Sequence, residues 1–342
     1  MHEAGHFAMA KWAGMKVEEF GFGFPPRLFA LRRGETEYSV NLIPLGGFVK
    51  IFGETGEFRE EPRSFAAKSK GKRAAVLVAG VAMNLVLAFV LLSAGFMWGI
   101  PTSVDDTLPG HPNIRNTSVQ ITYVLPDSPA MRASMEMGDE VLAVNGVSVT
   151  DAARARELIG AVPVGTDFTI LVKRDGETRE FTLAPELLQD SRAMIGAQLS
   201  TIGLVSYAPF EAVVQGMGAT ATLTSATVGG FVSLIGRLIR GEGVGADLAG
   251  PVGIAVMTGD VARLGFSYLL YFTALLSVNL AVLNIIPFPA LDGGRLLFLG
   301  IEAVRRKQLS PMYERAAHGL GFALLILLVI LVTYKDIMRL LA

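Results

Sequence analysis

The sequence predicts a multi-pass α-helical membrane protein with a small β-rich domain inserted on the outer side of the membrane. Apolar residues make up 51% of the chain and charged residues only 18%, and the mean hydropathy is positive, a balance that is typical of membrane proteins. Residues 74–100 carry no charge and are long enough to cross about 30 Å of hydrocarbon. Residues 102–205, in contrast, have the composition of an ordinary soluble domain.

Basic residues predict how the spans are oriented. Four of them lie within 68–73, just before the apolar run 74–100, so the positive-inside tendency places this end in the cytoplasm. The C-terminal region contains two further apolar runs, at about 264–283 and 320–332, that reach spanning length. A basic loop between them, residues 305–307, is placed inside by the same rule, and the two assignments agree.

Short strands are predicted in the soluble stretch. Alternating apolar and polar residues at 141–144 and 168–172 are followed by Asn-Gly and Asp-Gly pairs, as in β-hairpins. Residues 152–159 are typical of a helix. Residues 102–205 are therefore expected to form a β-rich module outside the membrane.

Residues 206–263 are predicted to form amphipathic helices at the membrane surface. The apolar part, 209–240, is interrupted by Gly, Thr and Ser and ends with Arg237 and Arg240. Mixed composition of this kind is typical of helices that lie on the membrane interface or partly in it.

Composition also excludes several classes of site. The net charge of −1 argues against a nucleic-acid binder, which normally presents a basic face. Because the chain has no cysteine, disulfides, thiolate zinc sites and cysteine nucleophiles are excluded, and any metal must be held by nitrogen and oxygen ligands. Of the four histidines, His111 and His318 lie outside any motif and are expected to be bystanders.

The N-terminal segment contains a metal-binding pattern. His2-Glu3-Ala4-Gly5-His6 places two imidazoles one helical turn apart on the same face, where both can reach one zinc ion. Glu3 lies beside the metal and can take a proton from water. A catalytic zinc needs a third protein ligand, which the pattern lacks. The alternative is a helix with surface His and Glu side chains, since chance often produces this pattern.

The C-terminal region 264–342 supplies a candidate third ligand. Pro287 and Pro289 break any helix, and irregular backbone survives in lipid only where protein buries it or it lines a watery cavity. Asp292 follows within apolar sequence, where an acidic side chain is costly and indicates a functional site. Its carboxylate would complete a His-His-carboxylate zinc site. Alternatively, or in addition, it caps the following helix.

Together these motifs resemble those of the bacterial site-2 protease family of intramembrane zinc metalloproteases. The resemblance covers nearly the whole chain and rests on four segments. They are His2-Glu3-Ala4-Gly5-His6, the run Asn284-x-x-Pro287-x-Pro289-x-Leu291-Asp292-Gly293, the stretch from Gly21 to Glu54 that includes Ile43-Pro44-Leu45-Gly46-Gly47-Phe48-Val49-Lys50, and Gly250-Pro251-Val252-Gly253-Ile254.

The resemblance implies a role for each matching residue. His2, His6 and Asp292 are expected to bind Zn²⁺, and Glu3 is expected to act as the general base. Asn284 is expected to hold the substrate backbone or to steady the oxyanion. Its amide offers both a donor and an acceptor, so the alternative is that it satisfies carbonyl groups of the broken helix.

Segment 1–73 is expected to combine a truncated first span, which carries the zinc motif, with a membrane-associated β-hairpin loop. The hairpin around 43–51 could hold an unwound substrate strand by edge pairing. Gly46 and Gly47 would let the substrate backbone approach closely; the alternative for these two glycines is a plain turn. Asn84, in the span 74–100, is expected to make a packing or hydrogen-bonding contact near the site.

The soluble module resembles a circularly permuted bacterial PDZ domain. Such domains bind extended peptide by adding a strand to a sheet edge. One copy is found, where some relatives in the family have two in tandem. The matching residues are Val124-x-Pro126-Asp127-Ser128-Pro129-Ala130, Met137-Gly138-Asp139-Glu140-Val141-Leu142-Ala143-Val144-Asn145-Gly146 and Arg174-Asp175-Gly176.

The resemblance implies a multi-pass enzyme of the bacterial cytoplasmic membrane that cuts the membrane-spanning segments of other proteins. Its partners would be the lipid bilayer and single-span substrates such as anti-sigma factors or signal-peptide remnants. Two rivals are a non-catalytic membrane-tethered PDZ scaffold and a metal carrier, although a carrier calls for several ligand clusters and only one is found.

A leader segment is also expected. Family members carry apolar residues before the His-Glu-x-x-His motif, so we expect about a dozen or more residues upstream of Met1 to complete the first span. If the protein begins at Met1, the helix with the zinc motif is poorly anchored and the alternative is an inactive protein.

Overall fold

The structure is a computed structural model that describes residues 1–104, 108–125, 127–188, 192–241, 249–307 and 309–341. It divides into two compact units, one comprising Met1–Ser93 with Gly216–Ala342 and the other Ala94–Gln215. Its elements, in chain order, are α1 (His2–Trp12), β1 (Val17–Arg33), β2 (Thr36–Ile51), α2 (Lys70–Trp98), β3 (Ile100–Ser103), β4 (Asn113–Val124), α3 (Pro129–Arg132), β5 (Glu140–Val144), β6 (Val147–Ser148), α4 (Ala152–Gly160), β7 (Phe168–Arg174), β8 (Glu177–Leu183), β9 (Glu186–Leu188), β10 (Arg192–Met194), β11 (Ala197–Ser206), α5 (Pro209–Ile239), α6 (Pro251–Leu264), α7 (Phe266–Ile285), α8 (Asp292–Arg305) and α9 (Pro311–Leu341).

Four helices of the described chain are long and apolar enough to cross a membrane. They are α2, α5, α7 and residues 312–338 of α9. The predicted apolar runs at 74–100, 264–283 and 320–332 correspond to α2, α7 and α9, so each of these runs is helical as expected.

The structure differs from the prediction in segment 206–263. Instead of several surface helices, the 31 residues of α5 form one continuous helix that could span a membrane. The hydroxyl residues do not interrupt this helix, because Thr220 and Thr224 donate hydrogen bonds to the carbonyl oxygens four residues earlier. None of the most apolar stretch of α5 is buried within the protein.

The predicted hairpin is present and is longer than residues 43–51. β1 pairs with β2, and residues 19–22 of β1 are in register with both 37–40 and 47–50 of β2. The last part of β2 is therefore an edge strand, since within the described chain it pairs with β1 alone. The hairpin exposes a dense set of apolar side chains, namely Phe22, Phe24, Leu28, Phe29, Leu31, Val40, Leu42 and Ile43.

Charged contacts fix the turn of this hairpin. Glu35, in the turn between β1 and β2, accepts hydrogen bonds of 2.7 Å from both Arg63 Nη2 and Lys11 Nζ. These two cations, Arg63 first, lower the pKa of Glu35 from 4.5 to about 2. The hairpin turn is thereby tied to α1 and to the segment that follows β2.

The Gly-Pro-Val-Gly motif begins α6. Gly250 occupies the N-cap position of α6 and has no side chain with which to cap it. Asp336 of α9 supplies the missing acceptor, because its Oδ2 lies 2.8 Å from the backbone N of Gly253. A carboxylate suits a helix N-terminus, where unpaired N–H groups and the helix dipole both favour negative charge.

The second unit confirms the β-rich character predicted for 102–205. It holds a seven-stranded sheet in the order β3-β11-β4-β5-β7-β8, with β6 paired to β5. The predicted helix at 152–159 corresponds to α4, whose Ala152, Ala155 and Ile159 lie in the core of this unit with Val141 and other strand residues. Pro126, one of the residues on which the PDZ resemblance rests, lies outside the described residues.

Candidate metal centre

Three side chains predicted to bind metal meet at one point. His2 Nε2 lies 2.9 Å from Asp292 Oδ2, His6 Nε2 lies 3.1 Å from the same oxygen, and the two imidazole nitrogens are 3.1 Å apart. Residues 290 positions apart in the sequence thus present two nitrogens and one oxygen to a common centre.

The donor set fits a zinc ion. Two ligands that each lie 2.0–2.1 Å from a tetrahedral zinc are about 3.3 Å apart, close to the three separations observed. Asp292 Oδ2 is buried and accepts no well-directed hydrogen bond within the described residues, although both imidazole nitrogens are near. A buried carboxylate oxygen without a hydrogen bond is energetically costly unless a cation lies next to it. Two imidazoles and one carboxylate are also the ligand set of several catalytic zinc sites.

The other nitrogen of each imidazole has its own partner. His6 Nδ1 lies 2.8 Å from the carbonyl oxygen of Val76, so this nitrogen carries the proton and donates it. Asn84 Nδ2 lies 3.5 Å from His2 Nδ1, and with the amide flipped its oxygen would accept a hydrogen bond from an Nδ1–H of His2. Partners of this kind fix the ring and leave Nε2 free for a metal. Asn84 therefore lies near the site, as expected.

Glycines let the zinc-motif helix approach α2. A Cβ atom on Gly5 would lie 2.3 Å from the carbonyl oxygen of Ala79, and one on Gly80 would lie 2.3 Å from His6 Nε2. Any larger residue at Gly80 would occupy the space beside the imidazoles. Sequence analysis missed Gly80, because a glycine within an apolar span is common and its function depends on which helix crosses there.

Asp292 reaches the histidines because the chain reverses sharply between α7 and α8. α7 ends at Ile285, and the two prolines of the motif lie in the irregular segment before Asp292. Cβ atoms on Gly293 and Gly294 would lie 2.2 Å from the carbonyl oxygens of Ile285 and Phe288, so the reversal requires glycine at both positions. Leu291 is the N-cap residue of α8 and no side-chain capping bond forms, so the structure does not use Asp292 as a cap.

A cavity of about 290 Å³ opens at the three ligands. Glu3 and Asn284 both line it, together with Phe48 from the end of β2. The side chain of Asn284 has no hydrogen-bond partner in the part of the chain that the structure describes, so it does not satisfy carbonyl groups of the broken helix. Its amide is available to a molecule in the cavity.

The two predicted substrate-binding glycines do not line this cavity. Gly46 has a positive φ of 88°, which favours glycine for conformational reasons alone. A Cβ on Gly47 would lie 2.9 Å from the carbonyl oxygen of Gly21 and 3.7 Å from Glu3 Cγ. Gly47 therefore lies beside the catalytic candidate Glu3, whereas Gly46 serves the backbone geometry of β2.

Two further contacts stabilise the surroundings of the site and were not predicted from the sequence. Glu54 and Arg295 form an ion pair in the cavity wall, which joins the segment after β2 to the first turn of α8. His318, expected to be a bystander, accepts a hydrogen bond from the backbone N–H of Ala290, two residues before Asp292. Both contacts join segments far apart in sequence, and no local pattern indicates them.

Comparisons with known proteins identify a family and several named relatives. A family model described as peptidase family M50 matches residues 1–328. A candidate zinc metalloprotease of Clostridium perfringens is 35% identical, covering 98% of this chain and 94% of that protein. The zinc metalloprotease RasP of Geobacillus kaustophilus is 32% identical, covering 99% and 94%. The regulator of sigma-W protease RasP of Bacillus subtilis is 28% identical, covering 99% and 95%.

Among solved structures, the PDZ domain of the SdrC-like protein from Listeria innocua covers 24% of this chain and 92% of its own. The sequence identity is 20% and the TM-score is 0.22. A TM-score this low does not bear on the fold of the second unit.

Proposed function

The chain belongs to peptidase family M50, the site-2 protease family, and on that premise we propose that this zinc metalloprotease cuts peptide bonds inside the membrane-spanning segments of other proteins. One observation carries the proposal. The cavity at His2, His6 and Asp292 is lined by residues of α2 and α7, both of which could cross a membrane. A peptide bond brought to this cavity would therefore come from a segment that lies among membrane helices.

Each side chain in the cavity has its own role in peptide-bond hydrolysis. His2, His6 and Asp292 hold the zinc, which when bound supplies a Lewis acid that polarises a carbonyl group and makes water more acidic. Glu3 accepts the proton of the attacking water and delivers it to the leaving amine. Asn284 can donate a hydrogen bond to the substrate carbonyl oxygen as negative charge develops there.

A helical substrate hides its peptide bonds, so it must unwind before attack. The end of β2, from Gly47 to Ile51, is an edge strand, and Phe48, Val49 and Ile51 line the cavity. An extended substrate segment can add to this edge by backbone hydrogen bonds. Gly47, beside Glu3, would let that segment lie close to the general base.

The proposed substrates are single-span membrane proteins. The relative from Bacillus subtilis is named a regulator of sigma-W protease, which supports a membrane-anchored anti-sigma factor as one substrate class; signal-peptide remnants are another. We assign the protein to the bacterial cytoplasmic membrane, with α2, α5, α7 and α9 as spans and the hairpin associated with the membrane. The β-rich domain, residues 102–205, would lie outside and screen substrates as a PDZ-like module.

The proposal is tested with purified protein in detergent and a single-span substrate labelled at both ends. We expect cleavage, with mass spectrometry placing the cut inside the hydrophobic segment. Glu3→Gln should abolish cleavage and keep zinc bound, whereas His6→Ala should lose both. A non-catalytic scaffold predicts that Glu3→Gln leaves function intact. Cutting only outside the hydrophobic segment would contradict the intramembrane proposal and leave the peptidase assignment in place.

A further inference from the structure

We propose that His318 of α9 is a positioning residue of the metal centre, which holds the segment before Asp292 in the conformation that aims the carboxylate at the two histidines. The inference rests on His2, His6 and Asp292 being the zinc ligands. It gives α9 a part in the site although α9 carries none of the recognised motifs.

The first observation is the backbone conformation of Ala290. Its φ is +82°, in the left-handed region that an L residue with a Cβ rarely adopts. Such a conformation costs free energy and persists only where the surroundings impose it. Ala290 also lines the cavity and precedes Asp292 by two residues, so any relaxation at Ala290 would move the ligand.

The second observation is a side-chain contact at the amide of the same residue. The backbone N–H of Ala290 donates a 2.8 Å hydrogen bond to His318 Nδ1. A ring nitrogen that accepts a hydrogen bond carries no proton, so the His318 proton is on Nε2. That nitrogen is buried without a partner within the described residues, and the ring meets Phe298 edge-on at 5.4 Å between centroids. Packing thus fixes the acceptor in place.

The third observation is a backbone contact one turn further along α9. A Cβ atom on Gly321 would lie 2.3 Å from the carbonyl oxygen of Pro289. Gly321 lies three residues after His318, on the same face of the helix. α9 therefore meets two consecutive residues of the segment, Pro289 through its carbonyl and Ala290 through its amide.

A histidine that only filled space would not be aimed at the strained amide. Replacing His318 by an apolar residue would leave the half-buried Ala290 N–H without its acceptor, and the segment would relax towards a conformation in which this N–H finds another partner. Because Asp292 follows Ala290 by two residues, its carboxylate would move away from the imidazole nitrogens of the two histidines. Loss of a residue that orients a metal ligand typically weakens metal binding by roughly 10–100-fold.

The test compares the zinc affinity of variants of the full chain in detergent, measured by competition with a chelating dye. We expect His318→Leu to lower zinc affinity by roughly 10–100-fold, and His318→Asn, whose amide oxygen can accept from Ala290, to restore most of it. Substitution of Co²⁺ should give a changed absorption spectrum in His318→Leu alone. His111→Leu, at an exposed histidine, is the matched control and should bind zinc normally.

A double variant distinguishes a positioning role of His318 from a general destabilisation of the fold. Ala290→Gly adopts a positive φ without strain, so His318→Leu should cost less zinc affinity in this background than in the native one. If His318→Leu does not fold, rescue of folding by Ala290→Gly supports the proposal and failure of rescue contradicts it. Native zinc affinity in His318→Leu, or an equal loss in both backgrounds, would also overturn it.

Asp292→Ala separates this inference from the proposed site. If Asp292→Ala loses zinc and His318→Leu does not, the positioning role fails and the ligand assignment stands. If Asp292→Ala binds zinc as tightly as the native protein, the ligand assignment itself fails, and the positioning role fails with it.

Discussion

The position that a Cβ atom on Gly80 would occupy lies 2.3 Å from Nε2 of His6. The zinc-motif helix and the first membrane-capable helix α2 therefore touch at the metal centre itself. The missing side chain of Gly80 keeps open the space in which the imidazoles converge with Asp292.

Gly80→Ala should therefore disturb metal binding more than folding. The added methyl group would push the His6 ring from its place, and we expect zinc affinity to fall by at least roughly tenfold, as when a metal ligand loses its orientation. Gly71→Ala is the matched control, because nothing lies within 4 Å of a Cβ at that glycine of the same helix. Equal zinc affinity in both variants would show that the contact has no effect on the site.

Asn284→Ala should separate substrate handling from metal binding. The amide faces the cavity and does not contact the three ligands, so zinc affinity should stay at the native value. If the amide stabilises the developing oxyanion, kcat should fall by about 10²-fold or more. Steady-state kinetics with the single-span substrate measure this. An unchanged kcat with a raised KM would assign Asn284 to ground-state binding instead.

In the second unit, Asp139→Asn should destabilise the fold. Asp139 is 1% exposed, and its two oxygens accept hydrogen bonds of 2.6 and 2.7 Å from Arg174 Nε and Nη2. Hydrogen bonding to Asp139 raises the pKa of Arg174. Arg174 keeps its contacts with Glu136 and the Ser134 carbonyl oxygen, so the loss should be about 1.5–3 kcal/mol, as for a hydrogen bond to a charged group. Proteolysis within 108–205 should therefore begin at a lower temperature. Arg154→Ala, in an exposed pair with Glu157, is the control and should cost less than about 1 kcal/mol.

The hairpin turn should show a defined pH dependence. The pKa of Glu35 is lowered from 4.5 to about 2 by Arg63 and Lys11, so its contribution to stability is fully present above pH 4.5 and is lost as the pH falls towards 2. In Glu35→Gln, the thermal unfolding temperature should depend less on pH across that window than in the native protein. Parallel curves for the two proteins would contradict the assigned contacts.

The three candidate metal ligands, which the structure brings together, could be predicted from the sequence because few residues of this chain can bind a metal. The chain has no cysteine and four histidines, and it contains one His-Glu-x-x-His pattern. Asp292 lies in an apolar run broken by prolines, where a carboxylate is costly and indicates a functional site. In the second unit, β5 and β7 followed from the alternating residues at 141–144 and 168–172 and the turn residues after them.

The supporting contacts could not be predicted, because they depend on how distant segments cross. Nothing local distinguishes Gly80 from other glycines of apolar helices, and His318 is separated from Ala290 by 28 positions. Residues 209–240 were expected to form amphipathic helices on the membrane surface or partly in it, because Gly, Thr and Ser are scattered among the apolar residues. In the structure these hydroxyl groups bond to their own helix, so polarity at those positions does not interrupt it.

The central claim is that two imidazoles from α1 and one carboxylate from the start of α8 bind the same ion. The most direct measurement is a crystal structure of the zinc-loaded protein with anomalous data collected at the zinc edge. We expect one peak within about 2.0–2.2 Å of His2 Nε2, His6 Nε2 and an Asp292 carboxylate oxygen. A zinc peak held by the two histidines with Asp292 outside coordination distance, or a peak elsewhere in the chain, would contradict the account.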